Sequence, residues 1–365
     1  PCSLGLATPT AVTVGIGRAA EYGILIKNGD VLEIADKINV AAFDKTGTIT
    51  EGKPEVDDII PYGISHKDVL YYIASVENNS THPIAKSIIR KSKEEDIELT
   101  QVSNFENITG KGLKAEIDNE VILVGNKNLL EYTDIEISDE ILSQYDSLLN
   151  ESKTVIFLAI SGEIKGILSL SDKIKDTSKR TIEELHKMGI KTYMLTGDNE
   201  NTAKTVANAV GIDDIRANVL PEDKLNIVKD LQKDENKVVF VGDGINDAPA
   251  LTQADIGVAM GNGTDIAMES GDVVVMEGDL ENVVAAIQFS KKVMTRIKQN
   301  IFWAFAYNSV LIPVAAGALF AAFGIMFRPE LSGLAMALSS VTVISLSLAL
   351  KGYVPPIKKA VPKKV

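Results

Sequence analysis

Short apolar runs that end in acidic or glycine-rich turns recur through the middle of the chain. They occupy residues 40–43, 191–195, 238–241, 256–260 and 273–276. Amphipathic helical patterns separate several of them, at residues 178–188, 201–210 and 222–232. Continuous apolar strands that alternate with helices are typical of a doubly wound parallel sheet, and ligands gather at the carboxyl ends of such strands. The pattern predicts an α/β fold with its site at the acidic turns.

The first predicted strand is far from the second in sequence. Residues 51–165 lie between them, which is too long for a loop, and they have alternating and helical patterns of their own. We therefore expect an α+β domain over 51–165, inserted into a discontinuous domain made of residues 19–50 and 166–290. Residues 117–120 and 161–163 fit hairpin turns within this insertion.

Two apolar stretches near the end of the chain carry no charged side chain. Residues 300–327 and 331–350 are each long enough to cross a bilayer, because about 20 residues suffice for a helix. Basic residues flank the pair on both outer sides, which places those ends in the cytoplasm and predicts a basic cytoplasmic tail over 351–365. Residues 1–18 resemble the second half of a further membrane helix. A pair of buried helices in a soluble protein is the weaker alternative.

Composition narrows the classes of protein that remain. The 365 residues carry a net charge of −13, and an acidic body without a basic stripe disfavours nucleic acid as a partner. Cys2 is the single cysteine, so no internal disulfide can form, which suits a reducing compartment.

The acidic turns contain the residues that phosphoryl chemistry requires. Asp44 follows the first apolar run, and a carboxylate at a strand tip can attack a phosphoryl group to form an aspartyl phosphate. Asp243 and Asp247 could hold magnesium, while Lys224 and Thr196 suit contacts to phosphate. One Asp-Gly pair alone would indicate an ordinary turn. Acidic ends on three strands of one sheet, with a lysine between, favour a catalytic site.

Three motifs resemble the signatures of P-type ATPases, in the right order. They are Asp44-Lys45-Thr46-Gly47-Thr48-Ile49-Thr50, Thr196-Gly197-Asp198 and Gly242-Asp243-Gly244-Ile245-Asn246-Asp247. The resemblance covers essentially the whole chain and implies a haloacid-dehalogenase-like phosphorylation domain. It implies Asp44 as nucleophile, with Mg²⁺ held by Asp44, the Thr46 carbonyl and Asp243. The catalytic set that it implies is Asp44, Lys45, Thr46, Thr196, Gly197, Asp198, Lys224, Asn246 and Asp247.

The insertion resembles the nucleotide-binding domain of the heavy-metal branch of that family. The residues that carry this likeness, and that it implies as ATP contacts, are Glu77, His82, Gly110, Gly112, Gly125 and Asn126. An imidazole can stack on adenine, and glycines let a backbone approach the nucleotide closely. Taken alone, a His-Pro pair more commonly starts a helix.

The apolar segments resemble those of the copper-transporting members of this branch. Cys2, preceded by Pro1, matches half of a Cys-Pro-Cys motif, and thiolates are soft ligands that suit Cu(I). The likeness extends to Tyr307, Asn308, Met336 and Ser340, which it implies as Cu(I) ligands. Zinc-type relatives carry a lysine and an aspartate in these helices, and neither is present. Hydroxyls that only pack helices together are the alternative.

The resemblance therefore implies ATP-driven export of Cu(I) through an aspartyl phosphate, by a fragment that lacks the actuator domain and the upstream helices. ATP, Mg²⁺, a copper-donating chaperone and the lipid membrane are the expected ligands and partners. The expected location is multi-pass in the cell membrane, with the soluble domains in the cytoplasm. The alternatives are a pump for silver or zinc and a metal-binding regulatory membrane protein without turnover.

Overall fold

The computed structural model describes residues 2–80, 83–151, 153–261, 263–324 and 328–359. Its strands are β1 (Ile24–Ile26), β2 (Val40–Asp44), β3 (Thr50–Pro61), β4 (Ser103–Ile108), β5 (Gly112–Ile117), β6 (Glu120–Gly125), β7 (Thr154–Ile160), β8 (Glu163–Ile174), β9 (Lys191–Leu195), β10 (Asp214–Arg216), β11 (Val238–Gly242), β12 (Ile256–Met260) and β13 (Val273–Val275).

The helices begin at the second residue of the chain. They are α1 (Cys2–Ala20), α2 (Asp30–Asp36), α3 (His66–Glu77), α4 (Pro83–Glu94), α5 (Lys127–Tyr132), α6 (Asp139–Asn150), α7 (Ser178–Lys187), α8 (Glu200–Val210), α9 (Lys224–Leu231), α10 (Ala248–Gln253), α11 (Asp265–Ser270), α12 (Glu281–Ala315), α13 (Ala318–Phe323), α14 (Pro329–Leu348) and α15 (Pro356–Lys359).

The larger sheet of the described residues has the order β1-β13-β12-β11-β2-β9-β10 and is parallel except at β1. Apolar residues of α2, α7, α8 and α12 pack on one face, and those of α9, α10 and α11 pack on the other. Burying a large side chain such as Phe43 or Phe240 completely contributes about 1.5–3 kcal/mol. The doubly wound α/β fold predicted from the apolar runs is confirmed, and β2 lies near its centre.

A second, antiparallel sheet has the order β3-β8-β7-β6-β5-β4 within the described residues. Its long strands β3 and β8 pair with each other and run from the Asp44 loop into the insertion and back. Both predicted hairpins are present: Ile117 pairs with Glu120, and Ile160 pairs with Glu163. The Ser161-Gly162 turn therefore belongs to the insertion, and Glu163 starts β8.

The long helices α1, α12 and α14 pack against one another beyond the larger sheet. Asn300 of α12 joins all three, because its side-chain amide donates to the Ala7 carbonyl (3.1 Å) and to Ser347 Oγ (2.8 Å). Asn300 is fully buried, and hydrogen bonds between helices hold such bundles together where water is absent.

The first late helix differs from the predicted span 300–327. It begins at Glu281, inside the sheet domain, and ends at Ala315, and Gly317 then takes a left-handed φ of +96° before α13. Residues 291–298 look like a flank in the sequence, but they form turns of the same helix that bury Val293 and Ile297 and leave the charged side chains exposed or half-buried. Of the helices in the described ranges, one, Glu330–Gly352, is long and apolar enough to span a bilayer by length and composition.

Candidate active site at the carboxyl edge of the larger sheet

Asp44 is the last residue of β2, at the edge where the parallel strands β9 and β11 also end. Its side chain is buried, and Lys224 at the start of α9 donates a hydrogen bond to Asp44 Oδ1 over 2.7 Å. The same ammonium donates to Asp247 Oδ1, also over 2.7 Å. Lys224 therefore bridges two carboxylates that the chain brings from different strand ends.

Three carboxylates form one group at this edge. Oxygens of Asp44, Asp243 and Asp247 lie within 4.8 Å of one another, and Asp247 Oδ2 accepts from the Gly244 amide (3.0 Å). Clustered hard oxygens of this kind fit Mg²⁺, which takes few protein ligands. Among the described His, Cys, Asp and Glu side chains, this is the one group that could hold a metal ion.

Burial sets the electrostatics of the cluster. Burial, and then repulsion by Asp247, raises the pKa of Asp44 to about 7, while the Lys224 ammonium acts in the opposite direction. Burial and Asp247 likewise raise the pKa of Asp243. For Lys224, burial lowers the pKa, but the carboxylates of Asp44 and Asp247 outweigh it, so the net pKa is raised. The site therefore holds excess negative charge that a cation would relieve.

The loop after Asp44 requires a glycine at position 47, for reasons of backbone conformation and of space. Its φ is +75°, and a Cβ at this position would lie 1.8 Å from Asp243 Oδ2. An alanine would be strained in the left-handed region and would also push the Asp243 carboxylate out of place. The glycine of the Asp44 motif thus leaves room for the carboxylate of Asp243 beside it.

The second motif faces the first across the mouth of the site. Lys45 forms an ion pair with Asp198, whose amide donates to Thr196 Oγ1 (3.1 Å). Thr196 is buried after β9, whereas Thr46, Gly197 and Asn246 are exposed. The structure thus brings Asp44, Lys224, Asp243 and Asp247 into contact, pairs Lys45 with Asp198, and leaves an open side from which a phosphate could enter.

Residues at the return from the insertion also contact the Asp44 loop, and no sequence motif indicated them. Lys175 donates to the Gly47 carbonyl (2.7 Å) and to the Gly278 carbonyl (3.2 Å), and burial lowers its pKa. Asp172 accepts from Thr50 Oγ1 (2.5 Å) and from the Gly52 amide (3.0 Å). The charged residues at the end of β8 could have indicated this. Because β3 begins at the Asp44 loop and pairs with β8, the end of β8 must lie beside that loop.

The predicted nucleotide residues line a cavity of about 430 Å³ in the inserted region, apart from His82, which lies outside the described residues. Glu77 is 7% exposed, and its Oε2 lacks a hydrogen-bond partner among the described residues. Burial raises the pKa of Glu77 to about 7, although a hydrogen bond with Ser80 opposes this. The Asn126 amide donates to the Gly110 carbonyl (3.0 Å), which ties two walls of the cavity together.

Two glycines of this cavity have a packing role in addition to the predicted contact with nucleotide. Gly112 and Gly125 face each other across the β5–β6 pair. A Cβ on Gly112 would lie 2.4 Å from the Val124 carbonyl oxygen, and one on Gly125 would lie 2.4 Å from that of Lys111. Both glycines are therefore required by the approach of the two strands to each other, whatever the cavity binds.

The predicted copper residues lie on three helices. Asn308 donates to the Ala304 carbonyl (2.7 Å) and Ser340 to the Met336 carbonyl (3.2 Å), so both side chains donate within their own helices. Tyr307 Oη lies 3.5 Å from Thr342 Oγ1 on the neighbouring helix. The Met336 side chain is 52% exposed, and only the backbone of Cys2 is described, at the start of α1.

Comparisons with known proteins agree on this fold. Two family models described as haloacid dehalogenase-like hydrolase match residues 38–255 and 224–287. A protein of Archaeoglobus fulgidus named "Probable copper-exporting P-type ATPase" is 51% identical over 359 residues, which are 98% of this chain and 44% of that protein. The chain thus spans less than half the length of that curated relative.

Two solved structures extend the likeness to three dimensions. A zinc-transporting PIB-type ATPase in an E2.Pi state matches 96% of this chain and 56% of its own, with a TM-score of 0.84 and 33% identity. The catalytic domain of the CPx-ATPase CopB-B matches 74% of this chain and 98% of its own, with a TM-score of 0.61 and 32% identity.

Proposed function

The chain belongs to the P-type ATPase family of the haloacid dehalogenase-like hydrolases, and on that premise we propose that it forms the catalytic and C-terminal membrane part of a Cu(I)-exporting pump. The observation that carries the proposal is the contact of Lys224 with both Asp44 and Asp247 over 2.7 Å, beside Asp243. This arrangement supports a site in which a nucleophile, a cation and metal ligands act around one position.

In the proposed reaction an Asp44 oxygen bonds to the γ-phosphorus of ATP. The bond from that phosphorus to its bridging oxygen breaks, and its electron pair leaves with ADP. The Lys224 ammonium contacts Asp44 and can interact with the transferred oxygens. Mg²⁺ held by Asp44, Asp243 and the Thr46 carbonyl would neutralise the phosphoryl charge when bound. Water later cleaves the aspartyl phosphate, which restores the Asp44 carboxylate and releases inorganic phosphate.

We assign the roles of the other residues on the same basis. Thr196, Gly197 and Asn246 would contact the phosphoryl group from the open side, and the Lys45–Asp198 pair would hold the second motif in register. In this scheme residues 19–50 and 166–290 form the phosphorylation domain, and residues 51–165 bind the nucleotide.

The cavity in the insertion suits the adenine end of ATP. Its lining includes apolar side chains such as Ile84 and Val155 beside the buried Glu77 carboxyl and the Asn126 amide. A protonated Glu77 could donate a hydrogen bond to a ring nitrogen, and an unprotonated one could accept from an amino group. His82, next to this lining in sequence, would stack on the base.

Copper is proposed as the cargo because the candidate ligands are soft or neutral. Met336, Tyr307, Asn308 and Ser340 bring no fixed charge, and the thiolate of Cys2 would be a soft ligand that suits a monovalent soft ion. The relative from Archaeoglobus fulgidus is named for copper, whereas the solved structure with the higher TM-score transports zinc. Zinc is therefore the second candidate, supported by that structural likeness.

The membrane placement is also part of the proposal. Glu330–Gly352 would cross the bilayer, together with the apolar parts of α1 and α12, so that the protein is multi-pass in the cell membrane. Exposed apolar side chains on these helices, among them Phe302, Val310 and Leu334, suit contact with lipid. Both sheets would then face the cytoplasm, where a copper-donating chaperone could deliver the ion.

The experiment is metal-dependent phosphorylation of the full-length protein in membrane vesicles. We expect [γ-³²P]ATP to give a hydroxylamine-sensitive phosphoenzyme that Cu(I) stimulates and Zn²⁺ does not. Stimulation by Zn²⁺ without Cu(I) would establish the second candidate, and the absence of any phosphoenzyme would favour a metal-binding protein without turnover.

A further inference from the structure

The segment after α14, which the sequence predicted as a basic cytoplasmic tail, folds back onto the larger sheet domain in the described residues. We name residues 353–359 the C-terminal latch. Ile357 is 1% exposed and belongs to the same apolar core as residues of α7 and α12. A buried isoleucine of this kind anchors the end of the last long helix to the sheet domain.

The latch also holds the two other long helices. Arg18 near the end of α1 donates from Nε to the Tyr353 carbonyl (3.0 Å). The Tyr353 ring meets Phe289 of α12 edge to face, with centroids 5.4 Å apart. The Ile357 amide donates to the Gln288 side-chain carbonyl over 3.2 Å. The latch is thus the point where α1, α12 and the continuation of α14 meet.

A charged cluster joins the latch to the loop between β13 and α12. Lys358 Nζ lies 2.5 Å from Asp279 Oδ2 and 3.4 Å from Glu281 Oε2. Glu281 is 5% exposed and has a second cation, Arg180, at 2.9 Å. A buried carboxylate needs such partners, because an uncompensated charge is costly away from water.

The same loop touches the candidate active site. Asp279 directly follows Gly278, whose carbonyl accepts from Lys175 (3.2 Å). Lys175 also donates to the Gly47 carbonyl (2.7 Å), and Gly47 packs against the Asp243 carboxylate. A continuous set of contacts therefore runs from Lys358 to the loop that carries the nucleophile.

We propose that the C-terminal latch couples the membrane helices to phosphorylation, with Lys358 as its positioning residue. A shift of α14 relative to α12 moves Lys358 against Asp279, and Lys175 carries the displacement of Gly278 to Gly47. The inference rests on the proposed function, and it adds a regulatory connection that leaves the ATP cavity untouched.

Because Lys358 is partly exposed, its removal should affect coupling without a large loss of folding stability. Its side chain is 19% exposed, and partly exposed ion pairs contribute little to the free energy of unfolding. Arg180 remains beside Glu281 when Lys358 is removed. Truncation of Lys358 therefore changes the link between the latch and the loop far more than it changes folding.

The test uses the full-length protein in vesicles and three variants. Lys358→Ala removes the contact, Lys358→Arg keeps its charge, and Lys359→Ala changes an exposed neighbour that is in no ion pair of the described residues. We expect Lys358→Ala to lower metal-stimulated ATP turnover about fivefold to tenfold, the size of an ordinary coupling free energy. ATP affinity and metal-free phosphorylation by inorganic phosphate stay within about twofold in that case.

Rescue and exchange complete the test. Lys358→Arg and Lys359→Ala keep wild-type turnover, and hydrogen exchange in residues 353–359 rises in Lys358→Ala alone. Normal turnover in Lys358→Ala would overturn the latch, and so would an equal loss of phosphorylation by inorganic phosphate, which marks a merely structural role. A wild-type protein that forms no phosphoenzyme would instead overturn the proposed function and this role with it.

Discussion

The acidic edge of the larger sheet and the polar residues of the late helices differ in what their side chains contact. At the sheet edge, Lys224 reaches Asp44 and Asp247, which come from other strand ends. In the helices, Asn308 and Ser340 bond to carbonyls of their own helix. The contacts at the sheet edge join residues from different strand ends, whereas the hydrogen bonds of Asn308 and Ser340 each stay within one helix. The contacts of the sheet edge therefore point to a type of reaction, whereas those of Asn308 and Ser340 do not select an ion.

Of the variants that test this contrast, Lys224→Ala should have the largest effect, and that effect is on the rate of phosphorylation. In Lys224→Ala we expect phosphorylation to slow by about 10²–10³, because one preorganised positive group is removed and two buried carboxylates lose their cation. Rapid-quench labelling with [γ-³²P]ATP measures the rate. Lys229→Ala, on the exposed side of the same helix, is the matched control and should behave as wild type. A rate unchanged in Lys224→Ala would contradict the assignment.

The Glu77 carboxyl gives the next largest effect, and it concerns stability. Its pKa is about 7 in the folded protein and 4.5 ordinarily, so the folded state binds the extra proton between these values. The contribution of the Glu77 proton to the free energy of unfolding is therefore fully present below pH 4.5, and it is lost as the pH rises from there through about 7. Over this range the free energy of unfolding decreases by about 3 kcal/mol, because each pKa unit corresponds to about 1.4 kcal/mol.

Glu77→Gln tests this directly, because the amide does not titrate. We expect the free energy of unfolding of the variant to lack most of the wild-type decrease between pH 5 and pH 8. Denaturant unfolding at a series of pH values measures it. Parallel pH profiles for the wild type and the variant would show that Glu77 is not buried as described.

Alanine substitutions at Gly47 and Gly63 form a matched pair, and their expected effects are smaller than those above. Both have φ of +75°, but a Cβ on Gly63 meets open space, whereas one on Gly47 meets Asp243. Gly63→Ala should cost about 1 kcal/mol of stability from backbone strain alone, without loss of phosphorylation. Gly47→Ala should in addition raise the Mg²⁺ concentration needed for half-maximal phosphorylation. Equal Mg²⁺ dependence in the two variants would argue against Asp243 as a metal ligand.

The smallest effect on stability is expected in the late helices. Asn308→Ala and Ser340→Ala each remove a hydrogen bond within one helix, which should cost less than about 1 kcal/mol. The proposal nevertheless expects a loss of Cu(I)-stimulated turnover in both variants, with phosphorylation by inorganic phosphate retained. Thr295→Ala, whose hydroxyl bonds to Lys291 in the same way outside the apolar part, serves as control. Full Cu(I) stimulation in both variants would remove them from the copper site.

The sequence predicted the larger sheet well because its strands are buried on both faces. Runs such as residues 238–241 are continuously apolar, and the acidic turns after them had to share one edge. The short edge strand β1 offered no comparable run. The start of α12 was misplaced because charged residues 291–298 resemble a flank, while in the structure they continue a helix.

Other features depend on contacts distant in sequence. Lys175 and Asp172 act on the Asp44 loop only because β3 pairs with β8. Ile357 lies among prolines and lysines, and the pattern of residues around it gives no sign of the core that buries it. Local periodicity cannot indicate such contacts, since the partner residues lie far away along the chain.

The most direct test of the central claim is to map the phosphorylated residue. The full-length protein is labelled with ATP and Mg²⁺, quenched in acid and reduced with borohydride, which converts an aspartyl phosphate to homoserine, and its peptides are then sequenced by mass spectrometry. We expect homoserine at position 44 and none in Asp44→Asn. Phosphate on another residue, or a product that persists in Asp44→Asn, would contradict it.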